Sequence, residues 1–483
     1  MVDFSPFGCE GIPSHEMGRW WVRRYLIKRS LRMDSNSVSR RKFIGVAGGV
    51  AAGAAIAGPA SAATKKPAAK KPAAKKPAAK PAAAPVAVNN PGTGVVNYWN
   101  HFTSPVERAG FEAVTAAFKK DFPAIDLKVE AIQNPDWMTK YITAVQAKSG
   151  PDALMVTANR VSDMSRIGGL TDLTVRAKSW DPFFKINGKD AINGLSYIGK
   201  NMAVPCFTFI DWMYYRKDYL AAAGIKSAPK TLEEFRLAAI EMTNPDKKRY
   251  GFGLRGGAGG GGYISSLMHA MNGPLIDKNG KSILELDAAV DALRFWVHLG
   301  TKDKCIPPTA ATDGYAQFQG AFQKGDTGMI FHHTGSFVEV GKALKYGIEV
   351  ETSAMPTGPK SGLGAISPLG NGIFKGSSNP DAAWTFATYW GDTKAQVEFL
   401  KATGYYGTSK EAAKDDFVVK NPQYKVALAG LDNYWTAYTF PGVENWQINT
   451  CLVEFQKALT GKQTPEQAAR AIWTELRDIT GTN

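Results

Sequence analysis

Strand and helix patterns alternate along the chain from Val95 onward, and this alternation restricts the fold more than any other feature. Val95–Trp99 is an apolar run typical of a strand. Ser104, Pro105 and Glu107 follow as an N-cap, a proline at the first helical position and a capping-box acid, which indicate a helix start. Apolar and polar residues then alternate over 126–131, which predicts a second strand. This order predicts an α/β fold with a parallel-rich sheet.

The same alternation of strand and helix patterns continues to the end of the chain. Residues 137–145 have the apolar spacing of a helix, whereas Ala153–Val156 and Met329–Phe331 are short apolar runs typical of buried strands. Further helix starts are predicted from capping residues at Thr231 with Glu234, at Asp287, at Asn379 with Pro380, and at Thr464 with Pro465 and Gln467. A chain of 483 residues with this pattern is expected to form two domains plus attachments.

The positive charge is concentrated at the beginning of the chain. The formal net charge is +15, but residues 1–85 contain sixteen Lys or Arg and only four Asp or Glu. The rest of the chain is therefore nearly balanced. Nucleic-acid binding needs a basic surface on the folded part, so we expect no nucleic-acid partner.

Residues 1–62 have the features of an export signal. Ser39–Ile44 contains the paired Arg40 and Arg41, a Gly- and Ala-rich apolar stretch follows, and Ala60–Ala62 is a small-residue cleavage pattern. These features resemble a twin-arginine signal, which implies the twin-arginine export machinery as a partner and a periplasmic location. No cysteine lies at the cleavage point, so no lipid anchor is expected. We hypothesise that Met33 is the true start and that 1–32 are a mis-called extension.

Residues 63–91 form a predicted linker rich in Lys, Pro and Ala. A five-residue period built on Lys-Lys-Pro-Ala-Ala runs through 65–85. Repeated proline blocks a continuous helix and like charges repel, so an extended, solvated segment is expected. An inert spacer is the simpler interpretation, and a tether or wall-interacting arm is the alternative.

The sequence gives little indication of an enzyme active site or a metal-binding site. Cys206, Cys305 and Cys451 are widely spaced, with no CxxC, so neither zinc nor redox chemistry is indicated, and one disulfide of undefined pairing is possible. His332 and His333 are neighbours on a predicted strand and are expected on opposite faces, so no metal site is predicted. No nucleophile or metalloprotease motif is present, and we predict that the protein is not an enzyme.

The glycine run 256–262 contains a GxGxxG pattern from Gly257 to Gly262. A dinucleotide site normally follows the first strand of a βαβ unit, whereas this pattern lies in the middle of the chain. A flexible loop whose backbone can approach a ligand is the favoured interpretation, and no cofactor is expected.

Several segments, in order, resemble the family of extracellular solute-binding proteins that includes the maltose-type sugar receptors. The segments are Gly150–Met155, Gly168–Leu173, Met213–Leu220, Pro229–Phe235 and Ala321–Met329. The resemblance implies a two-lobed α/β periplasmic-binding-protein fold of type II with a ligand cleft between the lobes. It places lobe one at 92–205 and 362–405, and lobe two at 206–361 and 406–483.

The resemblance also implies the function and the ligand-binding residues. The chain would be the solute-binding component of an ABC importer, capturing a carbohydrate by lobe closure, delivering it to permease subunits and acting as a monomer. Sugar binding needs aromatic platforms and polar groups. The implied ligand contacts are Asn100, His101, Asn159, Arg160, Tyr263, Phe337, Tyr405, Trp435 and Trp446. Core packing is the alternative role for each aromatic residue. A non-sugar ligand, such as glycerol phosphate or a polyamine, and an exported enzyme remain alternative functions.

Overall fold

The computed structural model describes residues 91–133, 136–180, 182–429 and 434–482. The predictions for the signal region 1–62, and nearly all of the linker 63–91, lie outside the described residues.

The described residues form twelve strands, most of which join one mixed sheet. In chain order they are β1 (Gly94–Asn100), β2 (Ile125–Ala131), β3 (Ala153–Thr157), β4 (Ser196–Tyr197), β5 (Lys200–Asn201), β6 (Val204–Arg216), β7 (Tyr250–Gly253), β8 (Thr327–His333), β9 (Val350–Ser353), β10 (Ala365–Ile373), β11 (Tyr406–Gly407) and β12 (Trp435–Thr436). The main sheet has the order β2-β1-β3-β10-β6-β8-β7; β9 and β11 also pair with β6, and β12 pairs with β10.

Helices cover the sheet between these strands. They are α1 (Pro105–Asp121), α2 (Trp137–Ala147), α3 (Val161–Arg166), α4 (Thr174–Ser179), α5 (Pro182–Ile186), α6 (Lys189–Gly194), α7 (Lys217–Ala222), α8 (Leu232–Glu241), α9 (Gly261–Asn272), α10 (Leu286–Thr301), α11 (Tyr315–Lys324), α12 (Phe337–Ala343), α13 (Pro380–Gly391), α14 (Thr393–Thr403), α15 (Asp416–Lys420), α16 (Pro422–Ala429), α17 (Val443–Asn445), α18 (Leu452–Leu459) and α19 (Pro465–Ile479). A π-helical segment, Trp446–Cys451, joins α17 to α18.

The prediction of an α/β fold is confirmed, but the prediction of a parallel-rich sheet is wrong. β1 pairs in parallel with β2 and β3, and β7 pairs in parallel with β8. β6 and β10 instead run antiparallel to each other, and β6 is also antiparallel to β8 and β9. β6 is thirteen residues long and lies in the middle of the sheet, where its first part pairs with β10 and its second part with β8 and β9, antiparallel in each case.

Three hydrophobic clusters pack against the sheet. The first core draws on residues 96–207 and 369–405, and the second core on 213–363 and 446–476. The third core is smaller and contains Trp212, Tyr214, Phe337 and Tyr424. β6 contributes to all three, since Phe207 lies in the first core, Met213 in the second and Trp212 in the third. β6 is therefore one of the segments that connect the two halves of the molecule, which we call the first half and the second half after their cores.

The helix starts follow the capping chemistry closely. Ser104 and Thr464 each form the predicted capping box. Thr231 accepts the Glu234 N–H, but the Glu234 carboxylate accepts from the N–H of Lys230 instead of closing the box. Asp287 was expected to be an N-cap, and this is wrong: the helix begins at Leu286, and Asp287 lies within its first turn.

The three described cysteines are buried free thiols. Cys206 lies in the first core, whereas Cys305 and Cys451 lie in the second. The possible disulfide is therefore not formed among these residues.

Candidate functional site

The two halves of the sheet meet within β6. The strand pairs with β10 up to Ile210, which lies opposite Ile366. Its pairing with β8 begins at the next residue, Asp211, which lies opposite His333. A ligand held here would contact elements from both halves.

The loop after β1 places Asn100 and His101 differently. Asn100 is 1% exposed, and its side-chain oxygen accepts the N–H of Phe102, so it shapes the loop. His101 is half-buried, and its Nδ1 has no hydrogen-bond partner among the described residues. Burial, together with the charge of Arg160, lowers the pKa of His101 to about 3, so the ring is neutral at physiological pH.

Asn159 and Arg160 follow β3, as the sequence predicts. Asn159 is half-buried and accepts a hydrogen bond from the Thr157 hydroxyl at 2.6 Å. Arg160 is buried and forms an ion pair with Glu444, with its Nε and Nη2 at 2.7 and 2.5 Å from the same carboxylate oxygen. Its guanidinium also lies over the ring of Trp137. Arg160 therefore ties the start of α3 to α17 in the second half.

Two neighbouring side chains of α3 strengthen this connection. The hydroxyl of Ser162 donates to the Thr439 carbonyl, and the Asp163 carboxylate accepts the N–H of Gly442 at 3.0 Å. Gly442 has a φ of 84°, a conformation that favours glycine. The segment 439–444 is thus fastened to the first half, while Phe440 within it packs against the second core.

Three of the predicted aromatic contacts are buried within cores. Phe337 is 5% exposed and stacks on Tyr346 with 4.4 Å between ring centroids. Trp446 is fully buried, and its Nε1 donates to the carbonyl of Ile472. Tyr405 is 3% exposed and donates its hydroxyl to Glu107. Each of these side chains has an evident packing role in the structure.

Trp435 is half-buried and has the environment of a platform. Its indole stacks on His269 with 4.4 Å between centroids and an interplanar angle of 15°. The Nδ1 of His269 lies 2.6 Å from the Tyr438 hydroxyl, which also accepts the N–H of Leu275. Burial lowers the pKa of His269 to about 4, so this ring is neutral. The indole N–H of Trp435 has no partner among the described residues.

Tyr263 lies in the first turn of α9 and is half-buried. Burial raises the pKa of its hydroxyl, the charge of Asp211 raises it further, and the charge of Arg255 lowers it. Both charged groups therefore lie within electrostatic reach of the Tyr263 hydroxyl. The structure brings Tyr263 towards the junction, whereas Phe337 and Trp446 remain in the cores.

Asp211 and Arg255 are the residues that the sequence analysis missed. Asp211 is the single charged residue in the apolar stretch Val204–Tyr215, and a lone acid in a predicted buried strand is a signal that could have identified it. Arg255 comes directly before the glycine run, where no pattern distinguishes it from an ordinary surface arginine.

The glycine run packs tightly, in contrast to the flexible loop expected. A Cβ on Gly261 would lie 2.0 Å from the Gln447 carbonyl oxygen, and one on Gly259, which has a φ of +85°, would lie 2.1 Å from Arg255 Nη2. Glycine is needed here because other backbone and the Arg255 side chain occupy the space of a side chain.

The expectation that His332 and His333 face away from each other is wrong. Their ring centroids lie 4.0 Å apart because β8 ends at His333 and a 3-10 turn, Thr334–Ser336, follows. His333 Nδ1 accepts the N–H of Gly335, while His332 Nδ1 bonds to Ser336. Within the described ranges, no group of three or more His, Cys, Asp or Glu is arranged to hold a metal ion.

A surface cavity of about 350 Å³ lies elsewhere, between outer helices of the first half. Its lining includes Asp121, Trp180, Tyr389 and Lys394, and none of the predicted site residues. The candidate site is therefore the junction around Asp211, Tyr263 and Trp435.

Comparison with known proteins identifies the family. Residues 103–397 match the bacterial extracellular solute-binding protein family, and the chain belongs to it. A Brucella abortus protein named only as a binding protein is 25% identical over 347 residues, which are 69% of this chain and 81% of the relative. The mannitol-binding protein of Pseudomonas aeruginosa is 24% identical over 397 residues, 74% of this chain and 87% of the relative.

The fold is shared with solved receptors. The GacH receptor of Streptomyces glaucescens, solved unliganded and with acarbose, superposes with a TM-score of 0.73 and 22% identity, over 80% of this chain and 99% of that one. The predicted family and the two-lobed fold are confirmed. In the part of the chain that the structure describes, we find no helix with the length and apolar character needed to span a membrane.

Proposed function

We propose that the protein is the exported solute receptor of an ABC importer and that it captures a sugar or sugar alcohol. The mannitol-binding relative and the acarbose-bound receptor support this ligand class. The observation that carries the proposal is the half-buried Trp435, which stacks on His269 at the junction of the two halves. An aromatic face beside open polar groups is the combination that a sugar ring needs.

The proposed mechanism is capture by lobe closure. The lobes are proposed as 92–205 with 362–405, and 206–361 with 406–483. A ligand that contacts both lobes stabilises the closed form, because its interactions are complete only when the lobes meet. The closed receptor would then dock on permease subunits. In this proposal the protein binds and releases its ligand unchanged, so it is not an enzyme.

The sequence supports a periplasmic location. The paired Arg40 and Arg41 and the cleavage pattern Ala60–Ala62 favour twin-arginine export, and a monomer is proposed as the working form. Replacing both arginines with lysine should leave the precursor in the cytoplasm, which cell fractionation would measure. Periplasmic recovery of that variant would contradict the proposed route.

A ligand panel tests the proposed function. The full chain is heated with maltose, maltotriose, D-mannitol, glycerol 3-phosphate or spermidine, and the unfolding midpoint is measured. A ligand present at about 100-fold above its Kd stabilises the native state by roughly 2.7 kcal/mol, so a binding sugar raises the midpoint. Trp435→Ala serves as the control and should lose the shift.

Two results would contradict the proposal. The first is a panel in which no sugar or sugar alcohol shifts the midpoint. The second is the release of free glucose from maltose or maltotriose by the purified chain, since that would indicate an enzyme.

A further inference from the structure

Asp211 occupies the exact point at which β6 changes partners. Ile210 is the last residue of β6 opposite β10, and Asp211 is the first opposite β8. The carboxylate Oδ2 of Asp211 accepts the N–H of Ala365 at 3.2 Å. Ala365 is itself paired with Trp435 through the β10–β12 ladder. One residue of β10 thus holds the acid next to the strand that carries the aromatic platform.

The Asp211 carboxylate lacks a counter-charge. Among the described residues, no Lys, Arg or His side chain lies within ion-pair distance of it, and the Ala365 N–H is its one hydrogen-bond donor. Burial raises its pKa to about 7 despite that hydrogen bond. An acid kept in such a position destabilises the ligand-free protein, so an added donor supplied by a ligand would be favourable.

Arg255, whose charge also acts on Tyr263, likewise has no ion pair among the described residues. Its Nε donates to the Ala258 carbonyl at 2.8 Å, and its guanidinium lies 5.7 Å from the ring centroid of Tyr315. No acid forms an ion pair with it among the residues that the structure describes. Burial lowers its pKa, as expected for a cation removed from water without a counter-ion.

Tyr263 lies within electrostatic reach of both charged groups. Its hydroxyl has no hydrogen-bond partner in the described ranges, and it senses the negative charge of Asp211 and the positive charge of Arg255. The nearby His101 and His333 are neutral because burial lowers the pKa of each to about 3. The groups around the junction therefore include one acid without a counter-charge, one cation without an ion pair and one hydroxyl without a hydrogen-bond partner among the described residues.

We propose that Asp211 is a ligand-recognition residue, accepting hydrogen bonds from ligand hydroxyls beside Trp435, and that the site selects an uncharged polyhydroxylated ligand. The acid opposes a phosphate or carboxylate ligand, and the cation of Arg255 opposes a polyamine. A neutral sugar or sugar alcohol can donate to Asp211 and accept from Arg255 and Tyr263 without either penalty. This inference rests on the proposed function and narrows its ligand class.

The test compares the full-length wild-type chain with Asp211→Asn and the control Asp416→Asn. Asp416 is an exposed acid on α15, where it pairs with Lys420. Affinities for D-mannitol, maltose, glycerol 3-phosphate and spermidine are measured by calorimetry at pH 8, where the Asp211 carboxyl, with its pKa of about 7, is mostly ionised. We expect D211N to weaken binding of the neutral ligand by about tenfold or more, because hydrogen bonds to a charged group are lost, while D416N binds as the wild type does.

The unfolding midpoint measured without ligand distinguishes a role of Asp211 in ligand recognition from a structural role. If Asp211 serves the ligand, D211N should keep the wild-type unfolding midpoint at pH 8 or raise it by a few degrees, since a half-buried charge without a counter-ion is removed. A lowered midpoint would indicate a structural role and overturn the inference.

The remaining outcomes are distinct. Wild-type binding of a neutral ligand that D211N retains within twofold overturns the role of Asp211 alone. Tighter wild-type binding of glycerol 3-phosphate or spermidine than of either neutral ligand overturns the selection of an uncharged ligand. A wild-type chain that binds neither neutral ligand refutes the proposed function itself.

Discussion

The ion pair between Arg160 and Glu444 gives a prediction whose size follows from the structure. Both side chains are almost fully buried, with 3% and 8% of their surfaces exposed. Glu444→Gln keeps the shape of the side chain but removes the charge that balances the guanidinium. Breaking a buried ion pair on one side costs about 3–5 kcal/mol, because the remaining charge loses its compensation in a medium that solvates it poorly.

The assay is urea unfolding, followed by circular dichroism and by tryptophan fluorescence. We expect E444Q to lower the free energy of unfolding by about 3 kcal/mol or more, and the control D416N, in an exposed pair, to remain close to the wild type. The double variant Arg160→Met with Glu444→Met should recover much of the loss, since no charge is then buried.

Two results would refute this reasoning. A loss below about 1 kcal/mol in E444Q would show that the pair is solvated and contributes as a surface pair does. A double variant no more stable than E444Q would show that the loss comes from packing instead of charge. Urea curves that differ between the two probes would indicate that the halves unfold separately, and the comparison would then be made on the first transition.

Three further predictions concern single residues. Folding raises the pKa of Asp211 from 3.8 to about 7, so the folded state keeps this proton at pH values where the unfolded state has lost it. Relative to D211N, the free energy of unfolding of the wild type should therefore fall by about 2–4 kcal/mol as the pH rises from 4 to 8. Urea unfolding measures this difference, and a difference that does not change with pH would contradict the raised pKa. Trp435→Ala should weaken sugar binding and leave the unfolding midpoint without ligand nearly unchanged. Trp446→Ala should instead lower the free energy of unfolding by about 3–5 kcal/mol, because the Trp446 side chain is fully buried. Equal losses of stability in the two variants would contradict the distinction between a ligand-stacking residue and a core residue. Thr464→Ala should cost about 1 kcal/mol by removing the cap of α19, and thermal unfolding unchanged within error would show that the end frays.

Local features of the fold were predictable because their causes lie within a few residues. Ser104 and Thr464 satisfy backbone N–H groups three residues away, so their spacing with Glu107 and Gln467 is visible in the sequence. The start of α10 was misplaced because a distant residue decides it: the N–H of Glu285 donates to Asn272, thirteen residues earlier. Capping rules do not contain such tertiary contacts.

The candidate site was less predictable for the same reason. Arg160 and Glu444 are 284 residues apart, and the sequence gives no sign that they meet. Phe337 and Trp446 are aromatic residues of the type that can stack on a sugar, but both side chains pack in cores. Only the tertiary structure distinguishes them from the half-buried Trp435. Asp211 could have been noticed as a lone acid in an apolar strand. That the Asp211 carboxylate has no counter-charge, however, depends on which strands pair on either side of it, and the sequence does not show this pairing.

The reactivity of the three buried thiols can report the unfolding of the protein. Burial raises the pKa of all three, that of Cys305 to about 12, so the reactive thiolate is scarce while each core is closed. Cys206 belongs to the first core, and Cys305 and Cys451 belong to the second. Labelling with a thiol reagent, resolved by peptide mass, would time the opening of each half separately, without any engineered probe.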